Sequence, residues 1–110
     1  MDHKKKYALI TGASRGIGRA TAEAFAKAGY NLVITSRNSP DELRALAQSL
    51  RSCHGIFCQP VQADMGSERD VERVFAFIRD LDVLVNNAGT AHIGLLSDMS
   101  AEQWHRVMAV

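Results

Sequence analysis

Between Thr11 and Gly18 the chain reads Thr-Gly-Ala-Ser-Arg-Gly-Ile-Gly, and these residue types suit one task, the gripping of phosphate. Gly12 permits a tight turn, Gly16 lets the backbone approach a bulky ligand, and Gly18 allows a helix to pack closely on a strand. A helix that starts here carries no Ser, Thr, Asp or Asn at its cap, so its first N–H groups and the positive end of its dipole stay available to an anion. Ser14 and Arg15 stand beside that slot, which fits a pyrophosphate. The spacing is GxxxGxG rather than GxGxxG, and either pattern gains meaning only between a strand and a helix.

Other candidate chemistry is thinner. Cys53, His54 and Cys58 lie in "CHGIFC", but the spacing matches no zinc pattern and no second Cys/His pair follows, so no metal site is expected. Among 110 residues the formal net charge is +1, which gives no electrostatic case for nucleic acid. No apolar run is long enough for a membrane span, and the first residues lack the apolar core of a signal peptide. A reducing, cytoplasmic setting is the expectation.

Around these residues, short apolar runs alternate with helical patterns. Residues 7–11, 31–36, 55–63 and 82–87 read as strands, rich in β-branched side chains and bounded by Gly, Asp or Asn. Leu43, Leu46, Ala47 and Leu50 fall at helical spacing, as do Val71, Val74, Phe75 and Ile78. Ile17, Thr21, Ala24, Phe25 and Ala28 form a third stripe, closed by Gly29. The later helices open on "SPDE", "SERD" and "SAEQ", each with Ser39, Ser67 or Ser100 at the cap and an acid or amide three residues on. Such a β-α-β-α order predicts an α/β fold, with a parallel sheet and helices on both faces. Residues 1–6 are expected to be a basic tail, and 7–110 a partial dinucleotide-binding domain that stops inside its fourth helix.

The glycine segment 11–18, taken with "NNAG" at 86–89, resembles the short-chain dehydrogenase/reductase family over nearly the whole chain. That resemblance implies a Rossmann-like doubly wound sheet, here with about four strands and the start of a fourth helix. It also implies a nicotinamide dinucleotide held by Gly12, Ser14, Arg15, Gly16, Ile17 and Gly18. Asp64 would bond the adenine amino group with Met65 alongside, and Asn87, Ala88 and Gly89 would line the adenosine ribose. At the end of the second strand, where a carboxylate would accept both ribose hydroxyls and repel a 2′-phosphate, the chain has Ser36 and Arg37. Arg37 and Arg15, with no acid at the end of the second strand, favour NADP(H) over NAD(H).

The same resemblance implies a catalytic Tyr and Lys four residues apart beyond "NNAG", with a Ser and an Asn. Tyr7 and Tyr30 are the only tyrosines, no lysine follows Lys27, and no catalytic residue is assigned in this chain. Ser97 and His105 read as loop and helix-surface residues. The leading expectation is therefore the cofactor-binding half of an NADP(H)-dependent carbonyl/alcohol oxidoreductase, inactive alone. The alternative is a non-catalytic NADP(H)-binding or self-associating module. An unpaired, apolar outer edge on the fourth strand, with Trp104 and Met108 on the fourth helix, would favour a homo-oligomer.

Overall fold

A computed structural model describes residues 5–78 and 80–87, together with the backbone of 92–95. Its elements run β1 (Tyr7–Thr11), α1 (Gly16–Lys27), β2 (Asn31–Ser36), α2 (Pro40–His54), β3 (Cys58–Gln62), α3 (Glu68–Phe75), β4 (Val83–Asn86) and β5 (His92–Leu95). The strands form one sheet in the order β3-β2-β1-β4-β5. β1 pairs in parallel with β2 and with β4, and β2 in parallel with β3. Strand order therefore reverses between β1 and β4, and the crevice beyond their carboxyl ends is where ligands of such sheets sit.

Alternation along the central strands builds two cores. Ala8, Ile10, Leu32, Ile34, Val83 and Val85 face Leu43, Leu46, Ala47 and Leu50 of α2 and Ala22 and Ala26 of α1. Leu9, Val33 and Leu84 point the other way, against Val71 and Val74 of α3. Strands with apolar residues on both faces belong at the middle of a doubly covered sheet. Helices thus lie on both faces, as the sequence pattern requires.

Three local expectations change. The outer edge of β4 is covered, because β5 pairs with it antiparallel from Val83↔Leu95 to Asn86↔His92. The case for self-association through a bare fourth-strand edge falls with it. Expected features at Trp104, Met108 and the Ser100 cap lie outside the described residues.

Helix α1 turns a different stripe inward: Gly18, Ala22 and Ala26 are buried, whereas Ile17 is 77% exposed. A Cβ on Gly18 would sit 1.9 Å from the Gly12 carbonyl oxygen, so close packing at this point fixes the rotation of the helix and swings Ile17 outward. The third strand is also shorter than expected, Cys58–Gln62, since Gly55 is the left-handed cap of α2.

Caps differ in detail. Ser67 Oγ accepts from the Asp70 N–H at 3.4 Å, as its type predicts. The acid three residues on does not complete the reciprocal box, because Asp70 Oδ2 accepts from Asp64 N–H instead. Ser39 makes no side-chain cap bond at α2; its own N–H donates to Ser36 Oγ at 3.1 Å.

Candidate functional site

At the switch point β1 ends in Thr11 and β4 in Asn86, which are register partners. The fully buried Thr11 hydroxyl donates to Asn86 Oδ1 at 2.7 Å and accepts from the Asn87 N–H at 3.0 Å. One hydroxyl thereby joins the two central strands where they open into the crevice. The Asn87 side-chain nitrogen is buried and has no hydrogen-bond partner among the described residues. A buried unpaired donor is costly unless something supplies an acceptor. Ala88 and Gly89 lie outside the described residues.

The glycine segment folds as a turn between β1 and α1. Gly12 and Gly16 adopt φ values of 60° and 64°, a region that admits glycine without strain. Helix α1 opens with Arg15 as its N-cap, no side-chain capping bond and no acid in its first turn. Its leading N–H groups therefore keep their hydrogen-bonding capacity and their partial positive charge. Nothing lies within 4 Å of a Cβ built on Gly16, so the turn borders open space. Gly12 turns the chain and Gly18 packs the helix against that turn, as their spacing predicts.

Contacts within the chain bring the end of β2 to this turn. Ala13 N–H donates to Thr35 O at 2.9 Å, and Ser36 Oγ donates to Ser14 Oγ at 3.3 Å. Both serines are buried, so their hydroxyls shape the crevice wall from inside. Their chain neighbours, Arg15 and Arg37, are exposed, and neither forms a salt bridge among the described residues. Residues 22 positions apart thus deliver two unpaired guanidinium groups from adjoining segments, with no acid in 36–39.

Beyond β3, Asp64 is exposed, and its Oδ1 accepts from the Gly66 N–H at 2.9 Å. Met65 is placed differently: its side chain is 5% exposed and packs in the α3 core. Asp70, on α3, holds the Asp64 N–H at 2.9 Å and is itself bonded by Arg73 at 2.7 Å. The Asp64 N–H, above all, and then Arg73 hold the Asp70 carboxyl below its ordinary range. Sequence reading missed Asp70 and Arg73, whose helical spacing of three signals only a surface ion pair.

Cys53 is exposed on α2, while Cys58 is buried in β3, where burial pushes its thiol up to about 11 against a weaker opposing effect of Arg51. Among the described residues no group of three potential ligands could hold a metal ion, and no helix is long and apolar enough to cross a membrane. A cleft of about 430 Å³ lies between β3 and α3, but its lining includes none of the glycine-turn residues.

A doubly wound α/β sheet with a glycine turn at its switch point defines a class of nucleotide-binding proteins. Comparison with known sequences narrows it: the sequence model described as short chain dehydrogenase matches residues 6–110, and the chain belongs to that family. It is 36% identical over 109 residues to a D-beta-hydroxybutyrate dehydrogenase of Rhizobium meliloti, covering 96% of this chain and 42% of that protein. A 3-oxoacyl-acyl-carrier-protein reductase of Aquifex aeolicus is 37% identical over 109 residues, covering 96% and 44%. Among solved structures, L-sorbose reductase from Gluconobacter frateurii, complexed with NADPH and L-sorbose, superposes with a TM-score of 0.70 at 37% identity, over 92% of this chain and 40% of that one. The chain spans less than half the length of these relatives.

Proposed function

We propose that this chain is the cofactor-binding half of an NADP(H)-dependent oxidoreductase that interconverts a carbonyl and an alcohol. The carrying observation is the Ser14–Ser36 contact at 3.3 Å, which sets Arg15 and Arg37 on adjoining segments beside an uncapped helix terminus. In this reading the free N–H groups of α1 and the backbone of Gly12, Gly16 and Ile17 receive the diphosphate. The exposed Ile17 side chain offers an apolar surface at the same opening. Arg15 and Arg37 pair with the 2′-phosphate by charge-assisted hydrogen bonds. Asp64 accepts from the adenine amino group, and Asn87 with Ala88 and Gly89 borders the ribose, where the unpaired Asn87 amide finds an acceptor. The NADPH bound to L-sorbose reductase supports this choice of ligand.

Bound there, the nicotinamide would supply or accept a hydride. What these 110 residues do is bind and orient it. Tyr7 opens β1 and Tyr30 precedes β2, at the amino edge of a parallel sheet, opposite the crevice. A strand of 5 residues spans roughly 16 Å, so neither phenol can act at the carboxyl edge. That placement favours a second reading for the chain by itself, a dinucleotide-binding module without turnover. Self-association through elements beyond 95, and a cytoplasmic setting, belong to the same proposal.

Calorimetric titration tests it. NADPH binds more tightly than NADH, and Arg37→Asp abolishes or reverses the preference. Losing one charge-assisted bond corresponds to about a 10- to 100-fold weakening. Equal affinities for the two cofactors in the unaltered chain would overturn the NADP(H) assignment, and NADPH consumption with simple ketones would overturn the absence of turnover.

A further inference from the structure

Among the described residues strand β3 pairs only with β2, and the segments leaving both strands are loops. The Ala63 N–H to Ser36 O bond, 3.1 Å, ties the strand ends, but Arg37 and Asp64 lie beyond it. Side chains extend the tie. Gln62 Nε2 donates to Arg37 O at 3.2 Å, and Arg73 Nη2 donates to Gln62 O at 3.0 Å. Arg73 Nη1 meets Asp70 Oδ1 at 2.7 Å, and Asp70 Oδ2 accepts from the Asp64 N–H at 2.9 Å. A continuous chain of bonds thus runs from the main chain of Arg37 to that of Asp64, with its centre on α3.

We infer that Gln62, Arg73 and Asp70 are positioning residues that hold the two sides of the adenosine subsite, Arg37 and Asp64, in fixed relation, and so set discrimination at the 2′ position. The inference rests on the NADP(H) reading above. Arg73 suits the task because a guanidinium can bond a carboxylate and a carbonyl at once in a fixed plane, which an ammonium cannot. The Asp70 carboxyl, kept ionised by the same partners, accepts through both oxygens. Gln62 is exposed on the edge strand, so its amide can be removed without opening the core.

Titration of the full chain with NADP⁺ and NAD⁺, which differ only by the 2′-phosphate, tests the inference. Gln62→Met keeps side-chain length and removes the donor to Arg37. Its ratio of NADP⁺ to NAD⁺ affinity falls about 2- to 10-fold, the loss equivalent to one hydrogen bond, while the melting temperature is unchanged. Arg73→Met weakens both cofactors, because the Asp64 loop loosens too, and Arg73→Lys restores part of the loss. An unchanged ratio in Gln62→Met, in a protein whose unaltered form discriminates, overturns the inference and leaves the parent reading standing. So does a loss in Arg73→Met that merely tracks a fall in melting temperature. No binding of either cofactor by the unaltered chain overturns the parent reading, and the inference with it.

Discussion

Gly18→Ala is the sharpest test of how the glycine turn is built. The added methyl would lie 1.9 Å from Gly12 O, 2.8 Å from Gly12 C and 3.1 Å from Ala13 Cα. All three atoms are backbone, so no side chain can rotate away. Relief requires α1 to withdraw from the turn by roughly 1 Å, which disturbs the buried contacts of Ala22 and Ala26. Overpacking of this kind costs about 1–3 kcal/mol, and a contact with rigid backbone belongs at the upper end. Alanine is a better helix former by up to about 1 kcal/mol, but in the first turn little of that gain is realised.

The net expectation is a loss of about 2–3 kcal/mol, or roughly 10–20 °C in melting temperature for a domain of this size. Thermal unfolding followed by circular dichroism, with urea titration in parallel, reads it directly. Gly16→Ala is the control. Its φ of 64° imposes a conformational cost of about 1 kcal/mol, but the space around it is open. If Gly18→Ala proves no more destabilising than Gly16→Ala, the account of close helix–turn packing is wrong.

Thr11→Val removes the hydroxyl that joins β1 to β4 and leaves the Asn87 N–H without its acceptor, so urea unfolding should show a loss of about 1–3 kcal/mol with little change in volume. Because the Asp70 carboxyl is depressed below 3.8, its contribution to folding is complete above that pH and is lost as pH falls through the lower native value. Asp70→Asn should accordingly flatten the acid limb of the stability curve. Cys58 shows the opposite sign: its thiol is raised from 9.0 to about 11, so stability is retained below pH 9 and falls towards pH 11 as only the unfolded thiol ionises. Cys58→Val should remove that alkaline slope. In the folded chain a thiol reagent should modify Cys53 alone, with Cys58 following only on unfolding.

Much of the fold was legible because its signals are local. Residues 7–11 and 31–36 are apolar β-branched runs between turn residues, and both are strands with those bounds. Leu43, Leu46, Ala47 and Leu50 repeat at helical spacing, and all four are buried. The fifth strand was not legible. "HIGL" has four residues and a central glycine, too short a run for alternation to show, and it enters the sheet by antiparallel pairing with β4. In α1, apolar character pointed to Ile17, but a missing Cβ at Gly18 decided the buried face. Met65 has its side chain in the core against α3, a placement that packing decides and that residue type alone does not.

The amino-acid sequence by itself determined the uncapped glycine turn, since the glycine positions, the absent cap and the arginines are properties of residue type and spacing. Only tertiary structure decided that Ser14 meets Ser36, that Thr11 bridges to Asn86 and Asn87, and that Arg73 reaches Gln62. Those contacts join residues as much as 76 positions apart, and a parallel sheet creates them only when its crossovers close. Local chemistry is written along the chain; the register that brings distant hydroxyls, amides and guanidinium groups together comes from the two cores packing at once.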